Sequence, residues 1–306
     1  MNVFVAGASG VLGRRLIGLL AGRGHDVRGL ARSAGGEERV RRAGGTPVAA
    51  DLFDGESLAR AADGCEVLIH AATSIPQKKR VSLADFAAND RIRREGTRAL
   101  LDCARAVGAR RVVFQSIVWA ARPADGAPFD ETSAPGPDPV ARSALDGERM
   151  IADAGYSTLR CGWFYGADAG TRALAESLRR GRVAAIRGAA RLSFLHLDDA
   201  AAAFAIAAER AGPGLWHVVD DEPATSADFF RALADRIGAP APRSVRKWSA
   251  RLAAGRMSVD FLCTPMVTTA AKFKRDFRWM PRYPSYRQGL DQIVAQWTQD
   301  AAHGRP

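Results

Sequence analysis

The opening thirteen residues constrain this chain more than any other stretch. Val3-Phe4-Val5-Ala6 is a short apolar run, and Gly7-Ala8-Ser9-Gly10-Val11-Leu12-Gly13 follows it with glycines three apart. An amphipathic helical pattern then opens at once. Glycine permits the tight turn and lets backbone N–H groups approach a ligand, while the amino end of the helix offers favourable partial charge to an anion. A strand, a glycine turn and a helix in that order predict a diphosphate site, with Gly7, Ser9, Gly10, Val11 and Gly13 against it.

The next 150 residues repeat the rhythm. Apolar runs at 2–6, 26–31, 46–50, 67–70, 111–115 and 157–161 read as strands. Helical patterns at 11–23, 37–43, 56–62, 83–107 and 141–154 separate them, which predicts an α/β fold with a doubly wound parallel sheet of the Rossmann type. A Pro, Gly and Asp-rich stretch at 122–139 reads as a surface loop beside the site. Beyond Gly162 the spacing is irregular: strands are expected at 191–195 and 214–219, helices at 198–208 and 226–237, and a helical tail broken by Pro265, Pro281 and Pro284. The expected division is a dinucleotide-binding domain over 1–165, with returning segments near 190–219, and a smaller C-terminal substrate lobe over 166–306.

Composition narrows the function classes. The chain has 306 residues, 47% hydrophobic and 25% charged, which excludes disorder as its main state. Its net charge of +11 comes chiefly from arginines interleaved with acidic residues, as at Glu37, Glu38, Arg41 and Arg42, the pattern of solvated helix faces. No aromatic-rich basic strand accompanies them, so specific nucleic-acid binding is not expected. The longest apolar run, 200–208, is too short to span a membrane. A strand beginning at Asn2 leaves no room for a secretory leader, and Cys65, Cys103, Cys161 and Cys263 lie far apart. A cytoplasmic protein with free thiols and no metal site is expected.

At the end of the second strand, an acidic side chain would hydrogen-bond an unphosphorylated ribose. The sequence there is Gly29-Leu30-Ala31-Arg32-Ser33. A guanidinium suits a 2′-phosphate, so Arg32 favours NADP, with NAD left open. Asp51, beside Leu52, is placed to accept from the adenine amino group or to cap the next helix. Ala71, Ala72 and Thr73 follow the fourth strand and would let the backbone run close to the cofactor.

Together with Asp51-Leu52-Phe53-Asp54, His70-Ala71-Ala72, Gly96-Thr97, Val112-Val113-Phe114-Gln115-Ser116, Leu159-Arg160-Cys161-Gly162-Trp163-Phe164-Tyr165-Gly166, Leu195-His196-Leu197-Asp198-Asp199-Ala200 and Trp216-His217-Val218-Val219-Asp220-Asp221-Glu222-Pro223, these residues resemble the extended branch of the short-chain dehydrogenase/reductase superfamily, the epimerase/dehydratase-like enzymes. The resemblance covers most of the chain. It implies an NAD(P)-dependent oxidoreductase and leaves open a homodimer built on paired long helices.

It also implies a Ser or Thr after the fifth strand and a Tyr-x-x-x-Lys motif for proton transfer. Aligned with Glu148 as the mark, the tyrosine falls on Val140, the lysine on Ala144 and the serine on Ile117, one beyond Ser116. None of the four tyrosines has a lysine four residues later. Tyr165 is then the first candidate for a substitute proton donor, expected to face the cleft, the alternative being a tyrosine packed beneath the lobe. Ser116 is expected to bind substrate or to satisfy strand-end backbone groups. His70 and His196 are weaker candidates, Asp198 and Asp199 read as a helix cap, and Asp130 and Glu131 lie in the loop. Trp119, Trp163 and Phe164 are expected to line an apolar pocket. The expected substrate is a small, largely apolar carbonyl-type molecule. Redox-neutral cyclisation, elimination or epimerisation, and cofactor sensing without catalysis, remain as alternatives.

Overall fold

The structure is a computed structural model that describes residues 1–78 and 80–303. Val3, Phe4, Val5 and Ala6 have no exposed surface, as a central parallel strand covered on both faces requires. This strand, β1 (Asn2–Ala6), leads through the glycine turn into α1 (Val11–Gly22). The alternation continues with β2 (Asp26–Leu30), α2 (Ala34–Arg42), β3 (Thr46–Val48), α3 (Gly55–Ala61) and β4 (Val67–His70). Side chains fix two of these starts: Ser33 Oγ accepts from the Gly36 N–H and Asp54 from those of Glu56 and Ser57.

The helix expected over 83–107 is interrupted. A 3₁₀ turn at Leu83–Phe86 leads into α4 (Ala87–Arg91), a π turn at Ile92–Gly96 and α5 (Thr97–Ala106). The π turn holds one residue more than α geometry and carries Ile92, Arg93 and Gly96 into the interior. Gly96 fits because a Cβ there would stand 3.2 Å from Leu52 and 3.6 Å from His70.

After β5 (Arg111–Ile117) the chain crosses the Pro-rich loop to α6 (Arg142–Asp153) and β6 (Ser157–Cys161). Three elements absent from the sequence reading follow, β7 (Trp163–Tyr165), α7 (Ala169–Arg179) and β8 (Ala184–Ile186). The strand expected at 191–195 is split at Ser193 into β9 (Arg191–Leu192) and β10 (Phe194–His196). Next come α8 (Leu197–Arg210), β11 (Gly214–Val218), β12 (Ala224–Thr225), α9 (Ser226–Arg236) and β13 (Arg243–Val245). The tail forms α10 (Lys247–Ala254), α11 (Arg256–Leu262), α12 (Ala271–Phe277) and α13 (Tyr286–Ala302).

Seven strands form one parallel sheet in the order β11-β6-β5-β4-β1-β2-β3. Strand order reverses between β1 and β4, which opens a crevice at their carboxyl ends. On one face α1 presents Leu12, Leu16, Ile17 and Leu20 to the alanine-rich α8, whose small side chains permit close approach. On the other, Leu58, Leu100, Phe114 and Ile151 fill the core. β7 and β10 pair with each other outside the large sheet and carry Trp163, Phe164 and Tyr165 toward the C-terminal elements. Among the described residues no helix is long and apolar enough to cross a membrane, and no group of three or more His, Cys, Asp or Glu could hold a metal ion.

Burial sets the acid behaviour of this core. Desolvation pushes His70 and His196 down to about 4 and, with the nearby Arg160 charge, His217 to about 3; it pushes Asp220 up to about 7. The histidines stabilise the fold above the ordinary histidine pKa and lose that contribution as pH falls toward 4. Asp220 acts oppositely, its contribution being present at low pH and lost as pH rises through about 7. Between roughly pH 4 and 6.5 these four groups give the unfolded chain a net excess of about two protons, so stability falls with acidification by roughly 3 kcal/mol per pH unit. Urea unfolding at stepped pH should show this slope, and Asp220→Asn should steepen it by about one proton; an unchanged slope in the variant would refute the assignment.

Candidate active site

The crevice at the strand reversal widens into a cleft of about 1510 Å³. This exceeds the ~300–1,000 Å³ typical of one small-ligand pocket and accommodates a dinucleotide and a second molecule. Gly7, Ser9, Gly10, Val11 and Gly13 line one end. Gly7 has φ +87°, and a Cβ there would stand 2.5 Å from the backbone of Ala71 and Ala72; at Gly13 it would stand 2.2 Å from the Gly7 carbonyl oxygen. The turn therefore excludes side chains at both positions. Gly10, the N-cap of α1, supplies no capping side chain, so the helix amino end is left to a ligand. Arg32, exposed, and Leu52 line the same cleft, as do Ala71, Ala72 and Thr73 beyond β4. This architecture fits a nicotinamide dinucleotide: main-chain donors for the diphosphate, a flanking guanidinium, and a path past β4 free of large side chains.

Asp51 does not lie on the cleft wall. Its Oδ1 accepts from the Phe53 N–H at 2.9 Å, closing its own turn, and its backbone N–H donates to Ser57 Oγ. Asp51 is exposed, and this turn uses only one of its two carboxylate oxygens.

The opposite half of the cleft is aromatic. Trp119 and Trp163 each meet the Phe261 ring edge-on, with centroids at 5.4 and 5.9 Å, and Phe164 also lines the wall. Trp163 stacks on Phe194 behind it. Phe261 belongs to α11, so the C-terminal tail completes the wall begun by β5 and β7. Val140 lines the cleft from a short 3₁₀ turn, where Asp138 accepts from its N–H and from Arg122 Nη2 at 2.7 Å. Ala144 is fully buried against Ile117, Ala120 and Ala141.

Tyr165 requires a correction. Its ring is 3% exposed and turned away from the cleft, and its hydroxyl donates to Asp220 at 2.7 Å. Burial and the adjacent carboxylate push its pKa far up. A Cβ on Gly289 would stand 2.4 Å from the Tyr165 hydroxyl, so α13 lies flat against it. Asp220 also accepts from the His196 N–H, and Asp199 accepts from those of Arg282 and Tyr283. Tyr165 thus ties β7 to Asp220 and β10 beneath α13, while Asp199 at the start of α8 fastens the tail. The cap reading of Asp198 and Asp199 is corrected by the same contacts: His196 Nδ1 accepts from the Asp198 N–H at the start of α8, while Asp198 pairs with Arg15.

Ser116 borders the cleft, yet its hydroxyl is enclosed and donates to Glu148 Oε1. Arg160 holds Glu148 by two bonds, Nε to Oε1 at 2.8 Å and Nη2 to Oε2 at 2.6 Å. A carboxylate in this fork is an acceptor only, so Ser116 must give it its single proton. The chain of contacts continues from Arg160 Nη1 to His217 Nε2 and from His217 Nδ1 to Thr268 Oγ1. Glu131 accepts from the His217 N–H, and Asp130 binds Thr132, so neither loop carboxylate serves the cleft. The sequence reading missed this network because Glu148 and Arg160 lie on different elements and no spacing rule joins them.

Breaking such a pair from one side strands a buried charge. Glu148→Gln should lower the free energy of unfolding by about 3–5 kcal/mol, whereas Glu148→Leu combined with Arg160→Met should lose much less. Chemical denaturation of both variants checks this, and equal losses would contradict it.

The NAD dependent epimerase/dehydratase family model matches residues 3–218. A 3-diazoavenalumate denitrifying reductase from Streptomyces sp is 36% identical, over 95% of this chain and 99% of that protein. A 4-hydroxy-2-methyl-3-oxo-4-farnesyl-3,4-dihydroquinoline-1-oxide ketoreductase from Stigmatella aurantiaca is 29% identical over 96% of each. Among solved structures, UDP-glucose 4-epimerase of Thermotoga maritima superposes with a TM-score of 0.81 at 20% identity, covering 98% of this chain and all of that one. The dTDP-glucose 4,6-dehydratase of Streptomyces venezuelae, solved with NAD bound, also gives 0.81, at 21% identity, covering 99% and 98%. A parallel sheet reversing at β1 and β4, a glycine turn that admits no side chain and a family match across more than two thirds of the sequence have one meaning: the chain belongs to the NAD-dependent epimerase/dehydratase family.

Proposed function

We propose that this protein is an NADP(H)-dependent reductase for an aromatic, largely apolar acceptor whose reduction takes no proton from a protein side chain. The observation that carries the reading is what stands at the expected proton-donor positions: Ser116 gives its proton to the Arg160-bound Glu148, Tyr165 is bonded to Asp220 behind the wall, and Val140 is apolar. Bound nicotinamide would supply the hydride, and the protein's part is to hold and orient both molecules and keep water from the aromatic end. Gly7, Gly10, Gly13 and the amino end of α1 would receive the diphosphate. Arg32 would take the 2′-phosphate by charge-assisted bonds, which favours NADP over NAD. Trp119, Trp163, Phe164 and Phe261 would position the acceptor.

An acceptor that sheds a leaving group as it takes up two electrons has no alkoxide to protonate. A ring bearing a diazonium group is one: hydride adds at the ring carbon, the carbon–nitrogen bond breaks with its electron pair, and dinitrogen departs with charge balanced. The denitrifying reductase named above supports this choice of class. Ketone reduction is the second reading, favoured by the ketoreductase relative; there the proton would come from water.

Arg32→Ala should weaken NADPH binding about tenfold or more while leaving NADH nearly unchanged, as read by equilibrium titration. With 4-deuterated NADPH and a diazo-bearing aromatic acid, the label should appear on the ring carbon that lost dinitrogen, above the enzyme-free rate. Label on a carbinol carbon from matched aromatic ketones would select the second reading. Absence of label in every product, with cofactor bound, would exclude hydride transfer.

A further inference from the structure

Three arginines are buried among the described residues: Arg93, Arg122 and Arg160. Two have carboxylate partners, Arg160 with Glu148 and Arg122 with Asp138, although Arg122 Nη1 makes no hydrogen bond. Arg93 is 2% exposed and lines the cleft, yet no carboxylate among the described residues forms an ion pair with it, and its Nε has no hydrogen-bond partner. Of the two carboxylates whose charge reaches it, Asp90 forms no ion pair with it and Glu148 is already engaged by Arg160 and Ser116. Burial lowers the Arg93 pKa to about 10, with Asp90 and Glu148 acting against it from a distance, so the guanidinium stays charged at neutral pH. A buried guanidinium without an ion-pair partner is costly, and the π turn is what carries position 93 inward.

The anions of a dinucleotide have other receptors, the glycine turn for the diphosphate and Arg32 for the 2′-phosphate. Arg93 is left for the second molecule in the cleft. We propose that Arg93 is a substrate-binding residue that pairs with a carboxylate on the aromatic acceptor. The planar fork of a guanidinium matches a carboxylate in two parallel bonds, and the aromatic wall supplies the apolar complement. The assignment deepens the reading of this cleft as a reductase site and rests on it for the identity of the second molecule, but binding alone can test it.

The test uses the full-length protein saturated with NADP⁺ and two probes of equal shape, cinnamate and cinnamamide, titrated by calorimetry. Wild type should bind cinnamate about tenfold or more tightly than cinnamamide. Arg93→Gln should abolish the difference and Arg93→Lys should restore part of it, with NADPH affinity held within about threefold in each. That retained affinity also reports that the variants fold. Equal binding of the two probes to wild type, or no cinnamate binding up to about 10 mM, would overturn the proposal. So would a tenfold loss of NADPH affinity in Arg93→Gln, which would give the guanidinium to the cofactor instead. No turnover is needed, so a failure here is separable from a failure of the deuterium experiment.

Discussion

Everything in this cleft depends on a contact between two stretches of main chain. The turn after β1 lies against the backbone that leaves β4, so close that a single carbon at Gly7 would stand 2.5 Å from Ala71 and Ala72. That contact closes the floor of the crevice at the strand reversal and leaves the amino end of α1 facing into it. The sheet sets where the crevice is, and the missing side chains set how deep a ligand sits. Large side chains at the other end, on β7 and α11, then define an aromatic compartment continuous with it.

The nucleotide half was legible in sequence because each of its elements is local. Strand runs, glycine spacing and the residue after β2 need only a short window, and β1, β4 and β6 lie where the pattern of apolar residues puts them. The rest resisted for specific reasons. β7, β8 and β12 are two or three residues long, too short to show a period. Arg93 sat among Arg91, Arg94 and Arg98, and a helix face rich in arginine reads as solvated; only the π turn separates the one that faces inward. Asp51 and Tyr165 were each recognised as polar groups near the site, but direction depends on a neighbour: the Phe53 amide for one, Asp220 on a distant strand end for the other.

Buried charge is distributed unevenly through this molecule, and the unevenness is informative. Around Glu148 the accounting is complete, with Arg160 and Ser116 satisfying both oxygens. At Asp220 the accounting is also complete, through Tyr165 and the His196 amide. Such closed networks rigidify what they join: the first ties α6 to β5 and β6, the second ties β7 and β10 to the segment that leaves β11. The hydroxyls enclosed in them, those of Ser116 and Tyr165, each donate to a carboxylate of the network.

The π turn also makes helix phase a determinant of what the cleft contains. Each residue of an α-helix advances the next by about 100°. Deleting one residue between Ile92 and Gly96 would therefore restore a regular spiral and swing the guanidinium of position 93 out of the interior, while α5 beyond it kept its seat. In this scaffold, whether the base of the cavity carries an unpaired positive charge is set by chain length alone, without replacing any amino acid.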